Sequence, residues 1–290
     1  MRWLAIANPG AGWRGAAEVC AQDLLRQGLV ARVAVSRFPG DAARIAREAT
    51  SVDGLVAVGG DGTVLEVLAG LDTGRHALAV APVGHGNCLA RDLGMGTIAA
   101  ARAALRGGNW RTIDLLRVTL QQANRAERSI LAASTLAVGY VADVVATGRQ
   151  RLPWMGRAAY GVASALTLPQ PLDVAVVLDG TPAHLPARTG VVVNNTVHLA
   201  NFRAFPQARL DDGRLDIMEL GTHWLGQQAH NLSVLLGSER IGPARRAQAA
   251  RVDFSFAAPR TLMLDGELYT DIVRASVACL PRACRCAAAL

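Results

Sequence analysis

The chain of 290 residues contains no lysine, so its 30 lysine-plus-arginine positions are all arginine. This absence excludes two large classes of phosphate-transferring protein. A P-loop nucleotidase needs the lysine of its motif against the β- and γ-phosphates, and a protein kinase needs a lysine on its third strand. Neither site can be built from this sequence.

Cysteine is scarce and unevenly placed. There are five cysteines, and three of them fall at positions 279, 284 and 286. An odd number without an even spacing favours reduced thiols in a cytosolic protein over a disulfide framework. Cys284 and Cys286 have no histidine nearby, so a structural zinc site, which usually uses two pairs of ligands, is the weaker interpretation.

Long apolar runs are also missing. The first apolar run stops at residues 8–10, and no later run reaches the roughly 18 residues of a membrane-spanning helix. We therefore predict neither a secretory signal nor an integral membrane protein. The composition, 51% hydrophobic and 18% charged, is that of a folded globular protein.

The formal net charge is +7. This charge is compatible with an acidic partner, which could be nucleic acid, an anionic membrane or a phosphorylated substrate. A basic surface that serves only solubility explains the charge equally well.

The first hundred residues alternate short apolar runs with helical patterns, which indicates βαβ units and a parallel sheet. The predicted strands are residues 3–7, 31–35, 55–58 and 77–81, and the predicted helices are residues 16–27, 41–49 and 63–71. We assign residues 1–118 to an α/β, Rossmann-like nucleotide-binding domain.

Residues 119–290 have the pattern of a mainly β, β-sandwich-like domain, whose extreme C-terminus could return to the first domain. Strands at the boundary and beyond are predicted at residues 113–120, 129–138, 173–178, 190–194, 215–220, 251–256 and 262–264. One amphipathic helix is predicted at residues 154–168, ended by Pro169. Polar residues 121–128 mark the region of the boundary or a hairpin tip.

Three glycine-rich loops follow predicted strands, at residues 8–12, 59–63 and 82–87. In an open parallel sheet such loops meet at the ligand crevice. In the second loop, Gly-Gly-Asp-Gly-Thr, glycines allow close backbone approach and the helix start attracts anions. Asp61 would repel phosphate unless a cation lay between them or its carboxylate bonded a sugar or an amide, so the loop favours a Mg²⁺-nucleotide complex over an ordinary turn.

The first loop also matches the dinucleotide pattern, through Gly10, Gly12 and Gly15. The acidic residue expected after the second strand is replaced by Ser36 and Arg37. A phosphorylated dinucleotide using Arg37 is a minor alternative.

Two acidic segments lie downstream. Asp265 and Glu267 flank a glycine at a strand end, where they could hold a metal, move a proton or simply form a hairpin turn. Residues 206–216 gather three acids around a turn and could bind a hard cation through oxygen ligands. Neither segment alone identifies a function.

Together and in this order, these motifs resemble the diacylglycerol kinase catalytic family, particularly its bacterial lipid kinases. The resemblance covers nearly the whole chain. Its segments are residues 8–12, 59–66, 82–94, 113–114, 139, 206–216 and 265–267.

The resemblance implies that ATP lies between the two domains, with Asp265 as the general base for a lipid hydroxyl and Glu267 orienting the base or the metal. It also implies a second, structural Mg²⁺ on Asp212 and the backbone carbonyls of Arg209 and Arg214. The nucleotide-binding residues are then Asn8, Gly60, Asp61, Gly62, Thr63, Glu66, Gly84, His85, Gly86 and Asn87.

The implied cofactors are ATP and Mg²⁺. The implied partner is a lipid substrate, which the cytoplasmic protein would meet by binding peripherally to the inner face of the membrane. No nucleic-acid partner is implied. Near residues 149–160, basic and aromatic residues fit an anionic interface or a buried helix. A homodimer stays open.

The sequence departs from the family where His85 and Cys88 replace threonine and aspartate, and where Leu65 replaces asparagine. His85 is either a hydrogen-bonding substitute or an ordinary loop residue. The Gly-Asp-Gly-Thr motif is shared with NAD kinases, so an NAD kinase-like enzyme is the alternative. A nucleotide-binding regulatory protein with weak or no catalysis is another.

Overall fold

The computed structural model describes residues 1–12, 14–84, 86–155, 158–183, 188–199, 203–221 and 245–289. The α/β plus mainly β fold class predicted from the sequence is confirmed.

The first part of the chain forms a parallel sheet. Its strands are β1 (Trp3–Ala7), β2 (Arg32–Val35), β3 (Gly54–Gly59) and β4 (Ala77–Pro82). They lie in the order β4-β3-β1-β2, and every neighbouring pair is parallel. Since β1, β3 and β4 are buried along their whole length, the sheet is covered on both faces. The loops after these three strands open at one edge of the sheet.

Helices follow the strands. They are α1 (Ala16–Arg26), α2 (Asp41–Glu48), α3 (Asp61–Gly70), α4 (Cys88–Asp92) and α5 (Ile98–Gly107). The predictions for α1, α2 and α3 are confirmed to within two residues at each end. α4 and α5 were not predicted, although Thr97 caps α5 by accepting the amide of Ala100 at 3.1 Å, a signal readable in the sequence.

The second part is mainly antiparallel. Its strands are β5 (Trp110–Gln122), β6 (Arg128–Ala132), β7 (Thr135–Gly139), β8 (Val174–Leu178), β9 (Thr181–Pro182), β10 (Gly190–Asn194), β11 (Leu215–Leu220), β12 (Arg245–Ala249), β13 (Arg251–Leu264) and β14 (Glu267–Ala287). Among the described residues the strand order is β12-β11-β10-β7-β13-β14, with β5–β6 attached to β14 and β8–β9 attached to β13.

Several predicted elements need correction. The predicted strand at 129–138 is two strands, β6 and β7, because the chain turns at residues 133–134. The predicted strands at 251–256 and 262–264 are one strand, β13, which bends at register shifts instead of ending. β14, the longest strand among the described residues, was not predicted, because polar residues and Pro281 interrupt its apolar pattern.

The predicted single helix at 154–168 is wrong. Pro153–Met155 form one 3₁₀ turn, and α7 spans Ala158–Leu166. Another helix, α6 (Tyr140–Arg151), directly follows β7 and was missed because its apolar residues continue the strand pattern. α6 and α7 cover a small core built around Tyr140, Ala163 and Phe205.

Two long strands connect the parts. β14 pairs with β5 from Ile272 opposite Gln122 to Ala287 opposite Trp110. Near its end β14 also pairs with β4, in parallel, at Cys286 opposite Leu78. The core of the first part therefore contains side chains from the last strand. The predicted division at residues 118 and 119 falls inside β5 and stays a prediction.

Candidate functional site

The three glycine-rich loops touch one another at the sheet edge. The amides of Val83 and Gly84 donate to the carbonyl oxygen of Gly59 at 3.0 and 3.3 Å. A methyl group on Gly84 would lie 2.4 Å from the Gly60 Cα, and one on Gly12 would lie 2.2 Å from the Val83 oxygen. Since nothing larger than hydrogen fits at these contacts, glycine sets how closely the loops pack.

Asp61 connects two of these loops. Its carboxylate accepts the backbone amides of Asn87 and Cys88, both at 2.8 Å. Burial raises the pKa of Asp61 above its usual range, and these two amides oppose the rise. Asp61 thus fixes the third loop against the start of α3. The first residues of α3 line the open space next to this contact, so the amino-terminal end of the helix can attract an anion there.

Asn8 and Thr63 shape the loops from within. The Asn8 Oδ1 accepts the amide of Gly10 at 3.0 Å, which turns the first loop. Thr63 is buried, and a methyl group on Gly59 would lie 2.1 Å from its Oγ1. The predicted loop residue His85 lies outside the described residues.

A cleft of about 710 Å³ opens between these loops and the antiparallel part of the fold. The predicted residues that line it are Asn8, Gly60, Asp61, Gly62, Thr63, Glu66, Gly84, Gly86, Asp265 and Glu267. Asn87 lies behind this wall, where its side chain donates to the Gly84 oxygen at 2.8 Å. The fold thus brings the early glycine loops and the late acidic pair into one space.

Asp265 is held at the turn between β13 and β14. Its carboxylate accepts the amides of Ala133, Ser134 and Thr135 at 2.9, 3.1 and 2.7 Å. Its backbone has φ 46°, a left-handed conformation that aspartate tolerates better than most residues. These bonds fix the carboxylate in one orientation at the cleft wall.

The pKa of Asp265 is shifted toward neutrality. Burial raises it to about 6, and the negative charge of Asp61 acts in the same direction. The three amides oppose the rise, since they favour the charged form. The carboxylate can therefore exchange a proton close to neutral pH.

Glu267 forms a two-pronged ion pair with Arg149 of α6. The Arg149 guanidinium donates to both carboxylate oxygens, at 3.0 and 3.1 Å. The same pair raises the pKa of Arg149. A methyl group on Gly62 would lie 2.8 Å from the Glu267 Oε1, so this carboxylate lies directly over the start of α3.

Four charged or aromatic residues of the cleft were not predicted to belong to it. They are Arg128, Arg149, Tyr160 and Tyr269. The Arg128 guanidinium lies over the Tyr269 ring, 5.7 Å from its centroid. Tyr269 shares a face of β14 with Glu267, so strand alternation after Glu267 was a signal that could have found it. The two arginines had no local signal.

The predicted second metal site lies outside the lining of the cleft. Arg209, Asp212 and Arg214 are exposed and do not line it. Asp212 Oδ1 accepts the amide of Arg214 at 3.0 Å. The described residues contain no cluster of three acidic, histidine or cysteine side chains placed to hold a metal ion. A Mg²⁺ at this site stays a prediction.

Comparison with known families agrees with the two-part architecture. Residues 2–118 match the sequence model of the diacylglycerol kinase catalytic domain. Residues 134–288 match that of the YegS C-terminal NAD kinase beta sandwich-like domain. Together the two matches cover nearly the whole chain.

Curated relatives and solved structures point the same way. A diacylglycerol kinase of Mycobacterium tuberculosis (strain ATCC 25618 / H37Rv) is 32% identical over 228 residues, 73% of this chain and 71% of the relative. One of Bacillus subtilis (strain 168) is 31% identical over 244 residues, covering 79% and 76%. The crystal structure of a diacylglycerol kinase from Bacillus anthracis str. Sterne superposes with a TM-score of 0.77 at 22% identity, covering 99% and 96%. That last comparison concerns the fold alone.

Proposed function

Because the chain belongs to the diacylglycerol kinase family, we propose that it transfers the γ-phosphate of ATP to the hydroxyl group of a membrane lipid such as diacylglycerol. A phosphatidylglycerol-like lipid and a sphingoid base are the other acceptors to compare. Peripheral binding at the inner face of the membrane belongs to the same proposal. A homodimer stays a prediction.

One observation carries the proposal: a buried carboxylate with a pKa of about 6, that of Asp265, shares a cleft with the glycine loops. In the proposed reaction the lipid oxygen bonds to the γ-phosphorus while the bond from that phosphorus to ADP breaks. The hydroxyl proton passes to Asp265. A general base works best when its pKa lies near the operating pH.

The opposite wall of the cleft suits a triphosphate. The start of α3 offers backbone amides and the positive end of the helix dipole, and glycines allow close approach. Arg149 adds a fixed positive charge beside Glu267. Phosphoryl transfer depends mainly on such positioning and charge neutralisation.

Mg²⁺ fits the donors in the cleft. This ion is usually held by one or two carboxylates together with substrate phosphate oxygens. Glu66 of α3 and Glu267, which pairs with Arg149, line the cleft, whereas the carboxylates of Asp61 and Asp265 are engaged by backbone amides. When bound with ATP, the ion would neutralise negative charge on the transferring group.

The decisive experiment measures transfer of labelled γ-phosphate from ATP to diacylglycerol in mixed micelles with Mg²⁺. Asp265→Asn should lower turnover by about 10²–10⁴-fold, the usual contribution of a general base. Nucleotide affinity, measured by calorimetry, should stay within about threefold, because the loops that receive the nucleotide are unchanged.

Asp271→Asn is the matched control. Asp271 also has a left-handed backbone, φ 60°, but it is exposed on β14 and does not line the cleft. The Asp271→Asn variant should have the activity of the wild type. Full turnover by Asp265→Asn would reject the assigned base.

The two alternatives are separated by further arms of the assay. Phosphorylation of NAD in preference to any lipid would support an NAD kinase-like enzyme. Nucleotide binding without transfer to any lipid of a total extract would support a regulatory protein.

A further inference from the structure

Exposed apolar side chains gather in one place. Of the ten large apolar residues exposed among the described residues, five lie between positions 154 and 168. Trp154 is the extreme, with 79% of its surface exposed, and Leu166 and Leu168 expose 60% and 61%. Single exposed apolar residues are ordinary, but a cluster of them marks an interaction site.

The helix α7 within this cluster is apolar on both sides. Its Ala159 and Ala163 are buried, and Ala163 packs near Gly148 of α6. Its Val162 and Leu166, one turn apart, are exposed. A helix that is apolar all round is normally covered all round. In α7 one side is left open to the surroundings.

The charge of this region has one sign. Residues 144–172 contain no aspartate or glutamate but contain Arg149, Arg151 and Arg157. Arg151 is exposed at the end of α6, next to the turn that carries Trp154. Apolar and aromatic side chains with arginines and without acids are the combination that binds anionic membrane surfaces.

The same region continues into the cleft. Arg149 and Tyr160 line the cleft, while their neighbours Arg151 and Val162 face outward. None of the described helices is long and apolar enough to cross a bilayer. A surface contact is therefore the form of membrane binding that the described helices can support.

We infer that a docking surface formed by Arg151, Trp154, Val162, Leu166 and Leu168 binds a bilayer containing anionic phospholipid. Docking there places the mouth of the cleft against the lipid surface. This inference rests on the proposed function, because a lipid acceptor would require the protein to bind a membrane. The binding itself can be measured without ATP or turnover.

The test is sedimentation of the full chain with vesicles of phosphatidylglycerol and phosphatidylcholine, or of phosphatidylcholine alone. The wild type should bind the anionic vesicles at least about tenfold more tightly. The double variant Trp154→Ser, Leu166→Asp should lose about tenfold or more of that affinity, because it removes two apolar contacts and adds a negative charge. Arg151→Ala should lose roughly fivefold, the share of one basic residue at an anionic surface.

Val19→Asp is the matched control, because Val19 is an equally apolar residue, 66% exposed, on α1. Its vesicle binding should be unchanged. In vesicles with brominated acyl chains, the fluorescence of the wild type should be quenched more than that of Trp154→Phe. The double variant and Val19→Asp change only exposed residues, so their melting temperatures should match that of the wild type.

Equal wild-type binding to neutral and anionic vesicles, or unchanged binding by the double variant, would overturn the inference. So would a wild-type dimer that the double variant converts to a monomer without loss of vesicle binding, since the surface would then join two copies. Vesicle binding without lipid phosphorylation would keep this inference and reject the proposed kinase activity.

Discussion

At the scale of single residues, Asp265 combines burial with three amide hydrogen bonds. The raised pKa of about 6 makes a pH dependence the sharpest expectation for this residue. Below about pH 6 the carboxyl is protonated and cannot accept the hydroxyl proton. We expect kcat/KM to fall about tenfold per pH unit below that point and to be level above it.

The measurement is kcat/KM for ATP-dependent phosphorylation of a short-chain diacylglycerol between about pH 5 and 8. Asp271→Asn should give the same profile as the wild type. A profile that is flat through about pH 6 would show that Asp265 does not act as the base.

Arg149 offers a second prediction at this scale. Its ion pair with Glu267 is partly exposed, and such pairs contribute about 1 kcal/mol or less to stability. Arg149→Ala should therefore leave the melting temperature nearly unchanged. Because it removes a positive charge from the cleft and frees Glu267, it should lower kcat/KM by about tenfold or more.

The matched variant is Arg251→Ala, which breaks an exposed pair with Asp253; neither residue lines the cleft. A water-soluble acceptor keeps the assay independent of vesicle binding. If both variants retain full activity, the Arg149 guanidinium has no role in the reaction.

At the scale of elements, adding one methyl group at Gly84 tests whether activity depends on the close contact between the second and third glycine loops. Gly84→Ala would place a Cβ 2.4 Å from the Gly60 Cα, so the loops must separate. A displacement of about 1 Å in a positioning element lowers turnover by about a hundredfold. We expect that loss, together with weaker nucleotide binding.

Gly107→Ala is the matched control, because a methyl group there meets only the Asn109 side chain at an ordinary 3.7 Å. It should leave kinetics and nucleotide affinity unchanged. Wild-type affinity in Gly84→Ala would mean that loop packing is not needed for nucleotide binding.

Elements with a strong local pattern were predictable from the sequence. Strands β1, β3 and β4 are short and fully apolar, and their glycine loops follow at once, so both the sheet and one wall of the cleft could be predicted directly. α6 was not, because Val141, Val144 and Val145 extend the apolar pattern of β7 into the helix. Its start is set by Gly139, whose φ of 74° lets the chain turn from strand to helix.

At the scale of the whole molecule, the first sheet and the antiparallel part share strands and should unfold together. Urea unfolding followed by tryptophan fluorescence and by far-ultraviolet circular dichroism should give coincident transitions. The stacked Trp3 and Trp110 rings, 5.9 Å apart, place a fluorescent reporter where β1 meets β5. Two separate transitions would mean that the parts fold independently.

A variant in the shared core sharpens this test. Ala287 of β14 is 1% exposed within the core of the first sheet. Ala287→Asp should lower the free energy of unfolding by about 3 kcal/mol or more, seen equally by both probes. The control Ala123→Asp lies at an exposed turn and should change stability by about 0.5 kcal/mol or less.

The cleft wall opposite the glycine loops could not be predicted from local sequence patterns. Arg128, Arg149 and Tyr160 reach the cleft because β6 pairs with β5, and because α6 packs beside β13 and α7 packs against α6. These placements follow from register and helix packing between distant segments. Only the family resemblance linked Asp265 to the glycine loops before the fold was known.

The turn at Asp265 also has a consequence for synthesis. A ribosome delivers the glycine loops early, yet the carboxylate that faces them is made only about 180 residues after the third loop, and strand β14 follows it. A nascent protein paused before that point would have the glycine loops without the proposed proton acceptor. It also lacks the strand that covers the edge of β4. The proposed phosphate transfer can therefore begin only after Asp265 and β14 have been synthesised and have folded against the glycine loops.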